Sequence, residues 1–218
     1  MSLKLLFRDE LNGFYRSKVM LALWVGLPAM AVALYFLASD VEGISMSSFT
    51  ALLVASIGGL LTSAMMVVTI LKEREEKVYD LFLVRPIKRR DLLLSKFMAI
   101  YLCVALAAIL AIFVSVMLDA VLNGVGLGDA MMSLGEPLII VLSMMAINCS
   151  VGVFIGIIAN SVLVGILLVL YGGNQLASLV ILPIIMDMGE VWMAPLIALA
   201  ISTAMLTGSI LLFQRKEL

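Results

Sequence analysis

Six long apolar runs follow one another along the chain, and short polar segments separate them. A helix needs about 20 apolar residues to cross a hydrocarbon core ~30 Å thick, and each run has roughly that length. We therefore predict an all-α integral membrane protein with six transmembrane helices. The predicted spans are residues 19–38, 49–71, 97–118, 138–159, 161 to about 182, and 193–213.

The first 18 residues have a different pattern, in which apolar and charged positions are interleaved. Leu3, Leu6 and Phe7 share one helical face, and Phe14 continues that face two turns later. This spacing is typical of an amphipathic helix that lies on a membrane surface. We predict such an interfacial helix over residues 1–18; the alternative is a frayed tail.

The pattern becomes irregular after Gly172, where glycine, asparagine and glutamine interrupt the fifth apolar run. Irregular backbone at membrane depth is tolerated where protein or a water-filled cavity satisfies its polar groups. Either the fifth helix is long and loosened at Gly172, or it ends early and the chain dips back into the outer leaflet. We favour the second interpretation, with an external irregular segment at residues 183–192. The whole chain, residues 1–218, is assigned to a single transmembrane domain.

The composition agrees with a membrane protein. Hydrophobic residues make up 64% of the chain and charged residues 13%, and the mean hydropathy is +1.21. A soluble domain of 218 residues needs more charge to cover its surface. This composition therefore excludes a soluble enzyme or a soluble binding domain.

The charges are divided between the two sides of the predicted spans. All 14 Lys and Arg residues fall on one side, and the other side carries only acids such as Asp40, Asp129 and Glu190. The positive-inside rule places the basic side in the cytoplasm. We therefore predict a multi-pass protein of the cell (cytoplasmic) membrane with both termini cytoplasmic (N-in/C-in).

The longest polar segment, residues 72–96, mixes acidic and basic residues. Its first half predicts a short amphipathic helix that ends before Pro86, because proline disfavours helix at the residue before it. A basic cluster follows at residues 88–90, and a new helix is predicted to begin at Asp91. The segment is either an ordinary loop whose positive charges set the topology, or a docking helix for a cytoplasmic partner. The candidate docking residues are Glu73, Glu75, Glu76, Asp80, Leu81, Phe82 and Pro86.

Polar residues inside the predicted spans are uncharged, which argues against a proton-coupled carrier. Hydrogen bonds between helices explain these residues about as well as a substrate path does. Gly152 and Gly156 form a small-xxx-small pair and predict close helix packing. Cys103 and Cys149 are predicted to be buried free thiols rather than a disulfide.

The chain contains no histidine and no G-x-x-x-x-G-K-[ST] phosphate loop. Without histidine, neither a Ser-His pair nor a His-based metal site can form. Without the phosphate loop, we expect the chain not to hydrolyse ATP by itself. We therefore expect neither an enzyme nor a metal site. An intramembrane enzyme remains an alternative, as does a scaffold or sensor that docks a partner without transport.

Residues 72–97, KEREEKVYDLFLVRPIKRRDLLLSKF, resemble the cytoplasmic coupling loop of ABC transporter permeases of the type-2 (exporter) family. The shared features are an acidic helix, Leu81 with Leu83, Pro86 before a basic corner, and Ser95-Lys96 at the start of the third span. The predicted layout of spans also resembles that family over the whole chain. One departure is Lys77-Val78, which stands where family members have Gly-Thr.

The resemblance implies the permease subunit of an ATP-driven exporter. Such a permease works with a second permease copy, as a homodimer or heterodimer, and with two copies of a separate ABC ATPase. ATP and Mg²⁺ would bind the ATPase, so we expect no cofactor in this chain, and we expect membrane lipid but no nucleic acid among its partners. Short external loops and adaptable methionines favour a hydrophobic cargo such as a drug, lipid or peptide. The second and fifth spans would line its path, with the candidate residues Thr62, Met65, Met66, Asn174 and Gln175.

Overall fold

The computed structural model describes residues 3–15, 17–37, 46–75, 89–122, 128, 132, 134–180 and 191–215. Within these ranges the chain is helical and contains no strand, as the apolar pattern predicts. The helices are α1 (Leu3–Tyr15), α2 (Lys18–Leu37), α3 (Met46–Glu75), α4 (Arg89–Leu122), α5 (Gly135–Ile158), α6 (Val162–Ser178) and α7 (Met193–Arg215).

Four of these helices, α3, α4, α5 and α7, are long and apolar enough to cross a membrane. They correspond to the second, third, fourth and sixth predicted spans. The first and fifth predicted spans correspond to α2 and α6, whose described apolar stretches are shorter, at Met20–Leu34 and Val162–Ser178. The count of six spans and the N-in/C-in topology stay predictions.

Two helices extend beyond the predicted spans into the polar segment at residues 72–96. α3 continues to Glu75, and α4 already begins at Arg89. Both extensions are consistent with the helix dipole, because α3 carries Lys72 and Arg74 in its last turn and α4 carries Asp91 in its first. Residues 76–88, between them, lie outside the described residues.

The predicted N-terminal amphipathic helix is confirmed as α1. Leu6 and Phe14 are buried on one face, which packs mainly against α4, and Arg8 and Asp9 are exposed on the other. The apolar face thus covers the start of α4. Its position at a membrane surface stays a prediction.

Among the described helices, α3 and α5 make the most extensive contact, and glycine is the reason they approach so closely. A Cβ atom built on Gly152 of α5 would lie 2.8 Å from the backbone of Ser63 on α3. A Cβ atom on Gly156 would lie 3.0 Å from the side chain of Ile70. The close packing predicted from these two glycines is confirmed, and α3 is the partner helix.

α6 does not end at Gly172, so the early end that we favoured is wrong; the dip back into the outer leaflet stays a prediction. A π-helical turn at Val169–Gly173 widens the helix, which then continues to Ser178. The buried residues Gly165, Val169, Gly173 and Ala177 are spaced by four, and in a straight α-helix such a face drifts by about 40° at each step. The wider π turn offsets this drift and keeps the four residues against the bundle. Most of the predicted irregular segment at residues 183–192 lies outside the described residues, which resume at Val191. Val191 and Trp192 form a turn before α7.

Candidate functional site

A buried lysine joins three helices at the end of the bundle where α3 finishes and α4 begins. The Lys96 side chain on α4 is only 4% exposed. Its Nζ donates a hydrogen bond to Glu10 Oε1 of α1 at 2.8 Å and a second, short one to Glu73 Oε1 of α3. The two glutamates are 22% and 23% exposed. We call Glu10, Glu73 and Lys96 the three-helix clamp.

The local sequence places Lys96 on the inner face of α4. Its helical neighbours at three and four residues' distance, Leu92, Leu93, Ala99 and Ile100, are all buried. A lysine held there is stable only if its charge is paired, and two carboxylates supply the pairing. Because charged groups form the stronger class of hydrogen bond, the clamp links α1, α3 and α4 more firmly than apolar contact alone.

The residue after Glu73 makes a second connection in another direction. Arg74 Nη1 donates to the backbone carbonyl of Ala159, at the C-terminal end of α5, over 3.4 Å. The connection from α5 to α6 is a tight hairpin, and the Ser161 hydroxyl caps α6 by accepting from the Val164 amide. Adjacent residues at the end of α3 therefore contact α4 and α1 on one side and the α5–α6 hairpin on the other.

The predicted docking residues fall at and beyond this point. Glu73 lies within the clamp, so its carboxylate binds an internal lysine, whereas the docking prediction places it on a partner-facing surface. Glu75, the last residue of α3, is exposed. The docking helix itself lies outside the described residues and stays a prediction, together with Glu76, Asp80, Leu81, Phe82 and Pro86.

A second group of polar side chains lies deep between α3, α5 and α6. Asn148 of α5 is fully buried, and its Nδ2 donates to the Met144 carbonyl of its own helix at 3.1 Å. None of the described residues donates a hydrogen bond to its Oδ1. The amide fits because glycines face it: a Cβ atom on Gly59 would lie 2.3 Å from Nδ2, and one on Gly173 would lie 3.3 Å from Oδ1.

Two serines of α3, Ser56 and Ser63, lie three residues before and four residues after Gly59. Ser56 Oγ donates to Asn174 Oδ1 of α6 over 3.3 Å, while Ser63 Oγ bonds to carbonyls of its own helix, that of Gly59 among them, at 3.0 Å. We call Ser56, Ser63, Asn148 and Asn174 the polar seam. The seam offers hydrogen-bonding groups without net charge, which suits neutral polar groups in an apolar environment.

The residues predicted to line a substrate path differ in their exposure to solvent. Thr62 and Met66 are buried in the helix packing, and Thr62 Oγ1 donates to the Gly58 carbonyl at 2.6 Å. Met65 and Asn174 are half-buried, and Gln175 is exposed. In this structure, then, accessible surface is found at Met65, Asn174 and Gln175, and a role in transport stays a prediction for all five residues.

Sequence reasoning missed the partnership of Lys96 with Glu10. The available signal was the ring of apolar residues three and four positions on either side of Lys96, which marks a buried helical face. The cysteine prediction is confirmed, since Cys103 and Cys149 are both free and buried. In the described part of the chain, no group of three or more acidic or cysteine side chains is placed to hold a metal ion.

Comparison with known families matches residues 6–175 to the ABC-2 family transporter protein. No curated protein shows a significant match to the chain. The matched region begins in α1, includes the three-helix clamp and the polar seam, and ends just after the π turn of α6. Since this match covers most of the chain and the helices are apolar and long enough for a membrane, the protein belongs to the ABC-2 transporter family and is a permease component of an ABC transporter.

Proposed function

We propose that this permease is the membrane subunit of an ATP-driven exporter in the cell membrane, with six spans and both termini in the cytoplasm. Its ATPase is a separate polypeptide, and the complete transporter contains two permease copies and two ATPase copies. ATP and Mg²⁺ bind the ATPase. The observation that carries the proposal is the three-helix clamp. Its residue Glu73 is also a candidate docking residue, and Lys96 binds both Glu73 and Glu10.

The contacts at the end of α3 suggest how closure of the ATPase reaches the helices. A displacement of the predicted docking segment moves Glu73 and Arg74, which lie at its N-terminal end. Glu73 transmits that displacement through Lys96 to α4 and α1. Arg74 transmits it through the Ala159 carbonyl to the α5–α6 hairpin. A single displacement of the docking segment therefore reaches helices on both sides of α3.

The proposed cargo is hydrophobic and carries a neutral polar group. It meets the permease along the exposed face of α6, where Tyr171 and Gln175 stand beside apolar side chains such as Leu167. Asn174 borders this face and is half-buried. An ionised cargo group would find no opposite charge among Ser56, Asn174 and Gln175, whereas a hydroxyl or amide group would find hydrogen-bond partners.

The experiment that tests the proposal is affinity co-purification of the tagged full chain from its native membrane in mild detergent. The wild type is compared with a triple variant, Glu75→Lys, Asp80→Lys and Leu81→Asp, which alters the docking segment and the exposed end of α3. A matched control is Glu136→Lys, a charge reversal at an exposed acid in the first turn of α5. Each variant must elute as a single species from size-exclusion chromatography.

We expect an ATPase with a phosphate loop to co-purify with the wild type and the Glu136→Lys variant, and to be lost from the triple variant. If no ATPase accompanies the wild type, the exporter proposal is wrong, and a scaffold or an intramembrane enzyme becomes the better explanation. If the triple variant retains the ATPase, the docking surface lies elsewhere on the chain.

A further inference from the structure

We propose that Asn174 is a cargo-selecting residue, and that α6 presents it when its π turn moves by about one helical turn towards the C-terminal end of the helix. In the described register, Asn174 bonds to Ser56 within the protomer. In the second register, Asn174 lies on the exposed face of α6, at the position that Gln175 occupies in the described register. The exchange of register does not depend on the proposed function, whereas the role in cargo selection rests on it.

A π turn makes such an exchange possible because it contains one more residue per turn than an α-helix. π turns inside α-helices are rare and frequently coincide with functional sites. If the turn at Val169–Gly173 closes to α-helical geometry and a new π turn opens further along, the residues between the two positions rotate by about 100°. Each of them then takes the place of its successor.

Both ends of α6 are fixed by tight packing, so the rotation is confined to the middle of the helix. A Cβ atom on Gly165 would lie 2.5 Å from the side chain of Val67 on α3, which leaves no room for a rotation there. Ala177 is fully buried, and Val180 beyond it is fully buried as well. A π turn that moves between these anchors leaves their contacts unchanged.

The pair of glycines at 172 and 173 suits both registers. In the described register, Gly173 faces Asn148 Oδ1, and a Cβ atom on Gly173 would be only 3.3 Å from that oxygen. After the exchange, Gly172 holds this place, Gly173 faces Ser56, and Asn174 takes the exposed place of Gln175. A Cβ atom on Gly172 meets nothing within 4 Å in the described register, so packing in that register alone does not require glycine at 172.

The exchange breaks one long hydrogen bond between neutral groups, the 3.3 Å contact of Ser56 with Asn174. Ser56 has a ready substitute acceptor in a carbonyl of its own helix, as Thr62, Ser63 and Thr69 on α3 already use. On the exposed face, the Asn174 amide then stands where Gln175 stands now, close to Tyr171. Amides both donate and accept hydrogen bonds, so the cargo class that fits is an apolar compound that contains amide groups.

The register is tested by crosslinking in membranes, without ATPase or cargo. Cys103 and Cys149 are replaced by alanine, and Ser56→Cys with Asn174→Cys are introduced at the two side chains in contact. The yield with a short bis-methanethiosulfonate reagent reports how often residue 174 faces residue 56. Gly172→Ala and Gly173→Ala are then added separately; they form a matched pair, because each puts the same methyl group on neighbouring positions of one helix.

We expect Gly172→Ala to keep or raise the yield, because its methyl group is accommodated only in the described register. We expect Gly173→Ala to lower the yield roughly five- to tenfold, since its methyl group is forced against Asn148 in that register. Adding Asn148→Ala to the Gly173→Ala variant should restore the yield, which shows that the variant is folded. Equal yields for the two alanine variants, or a yield that Asn148→Ala fails to restore, would overturn the exchange of register.

The cargo role is tested in the complex with its ATPase. ATP hydrolysis is measured with an N-acylated hydrophobic tripeptide amide and, for comparison, with a long-chain alcohol that lacks amides. We expect Asn174→Leu to lower the stimulation by the tripeptide several-fold and to leave the stimulation by the alcohol unchanged. Equal losses with both probes would overturn the cargo role, while absence of an ATPase from the purified chain would overturn the proposed function and leave the crosslinking result standing.

Discussion

Replacing Lys96 with methionine keeps most of the side-chain volume and removes the positive charge that Glu10 and Glu73 share. Both carboxylates contact the same Nζ atom, so without it they face each other across a short distance while only about a fifth exposed. Two unit charges ~5 Å apart repel by ~3 kcal/mol at an effective dielectric constant of ~20. Breaking a buried ion pair by removing one partner costs about 3–5 kcal/mol. Because water reaches part of both glutamates, we expect a loss of ~3 kcal/mol in the free energy of unfolding.

The assay is equilibrium unfolding of the purified permease in mixed detergent micelles, followed by the tryptophan signal. Arg90→Met serves as the control, since the Arg90–Asp91 pair spans 3.5 Å and the arginine side chain is 54% exposed. Removing an exposed pair costs at most about 1 kcal/mol. Adding Glu10→Gln and Glu73→Gln to Lys96→Met removes the repulsion and should recover most of the loss. If Lys96→Met costs no more than Arg90→Met, or if the two glutamine substitutions recover nothing, the electrostatic explanation of the clamp is wrong.

Three further outcomes are expected. Gly152→Ala should destabilise the permease by roughly 1–3 kcal/mol in the same unfolding assay, because its methyl group would meet the backbone of α3. The control is Gly26→Ala, whose methyl group would have no neighbour within 4 Å and should be neutral or stabilising. Equal effects of the two substitutions would contradict the packing argument. Arg74→Ala should cost about 1 kcal/mol and speed amide hydrogen exchange in the α5–α6 hairpin; unchanged exchange would show that this contact does not hold the hairpin. Cys103 and Cys149 should not react with a membrane-impermeant maleimide until the protein is unfolded in SDS, and rapid labelling of the folded protein would contradict their burial.

The helices of this protein were predictable because the apolar runs have the length that a bilayer requires. Their ends were predicted less closely: the second span was expected to end at residue 71 but α3 continues to Glu75, and the helix expected from Asp91 begins at Arg89. Periodicity reports which face of a segment is apolar, but it does not report where a charged helix end finds a partner. Lys96 was therefore counted among the positive charges beside the third span, with no partner assigned to it, although its apolar neighbours pointed to burial.

The candidate site was predictable only in part, because its contacts join residues far apart in the chain. Asn174 was a candidate because the family resemblance implied that the fifth span lines the path, but its partner Ser56 lies 118 residues earlier and carries no local signal. The same glycines suggested an early end of the helix, since glycine is unfavourable in helix interiors. The π turn was not predicted. It corrects the rotation of the buried face along α6, and this rotation can be recognised only when the buried residues of both halves of α6 are known.

The glycine contact between α3 and α5 has a consequence for the barrier function of the membrane. At Gly152 the two backbones leave no room for a methyl group, so at this point water and inorganic ions find no passage between the two helices. A movement confined to α6 would leave this contact between α3 and α5 unchanged. The cargo route could then change its shape without opening an electrical leak at Gly152.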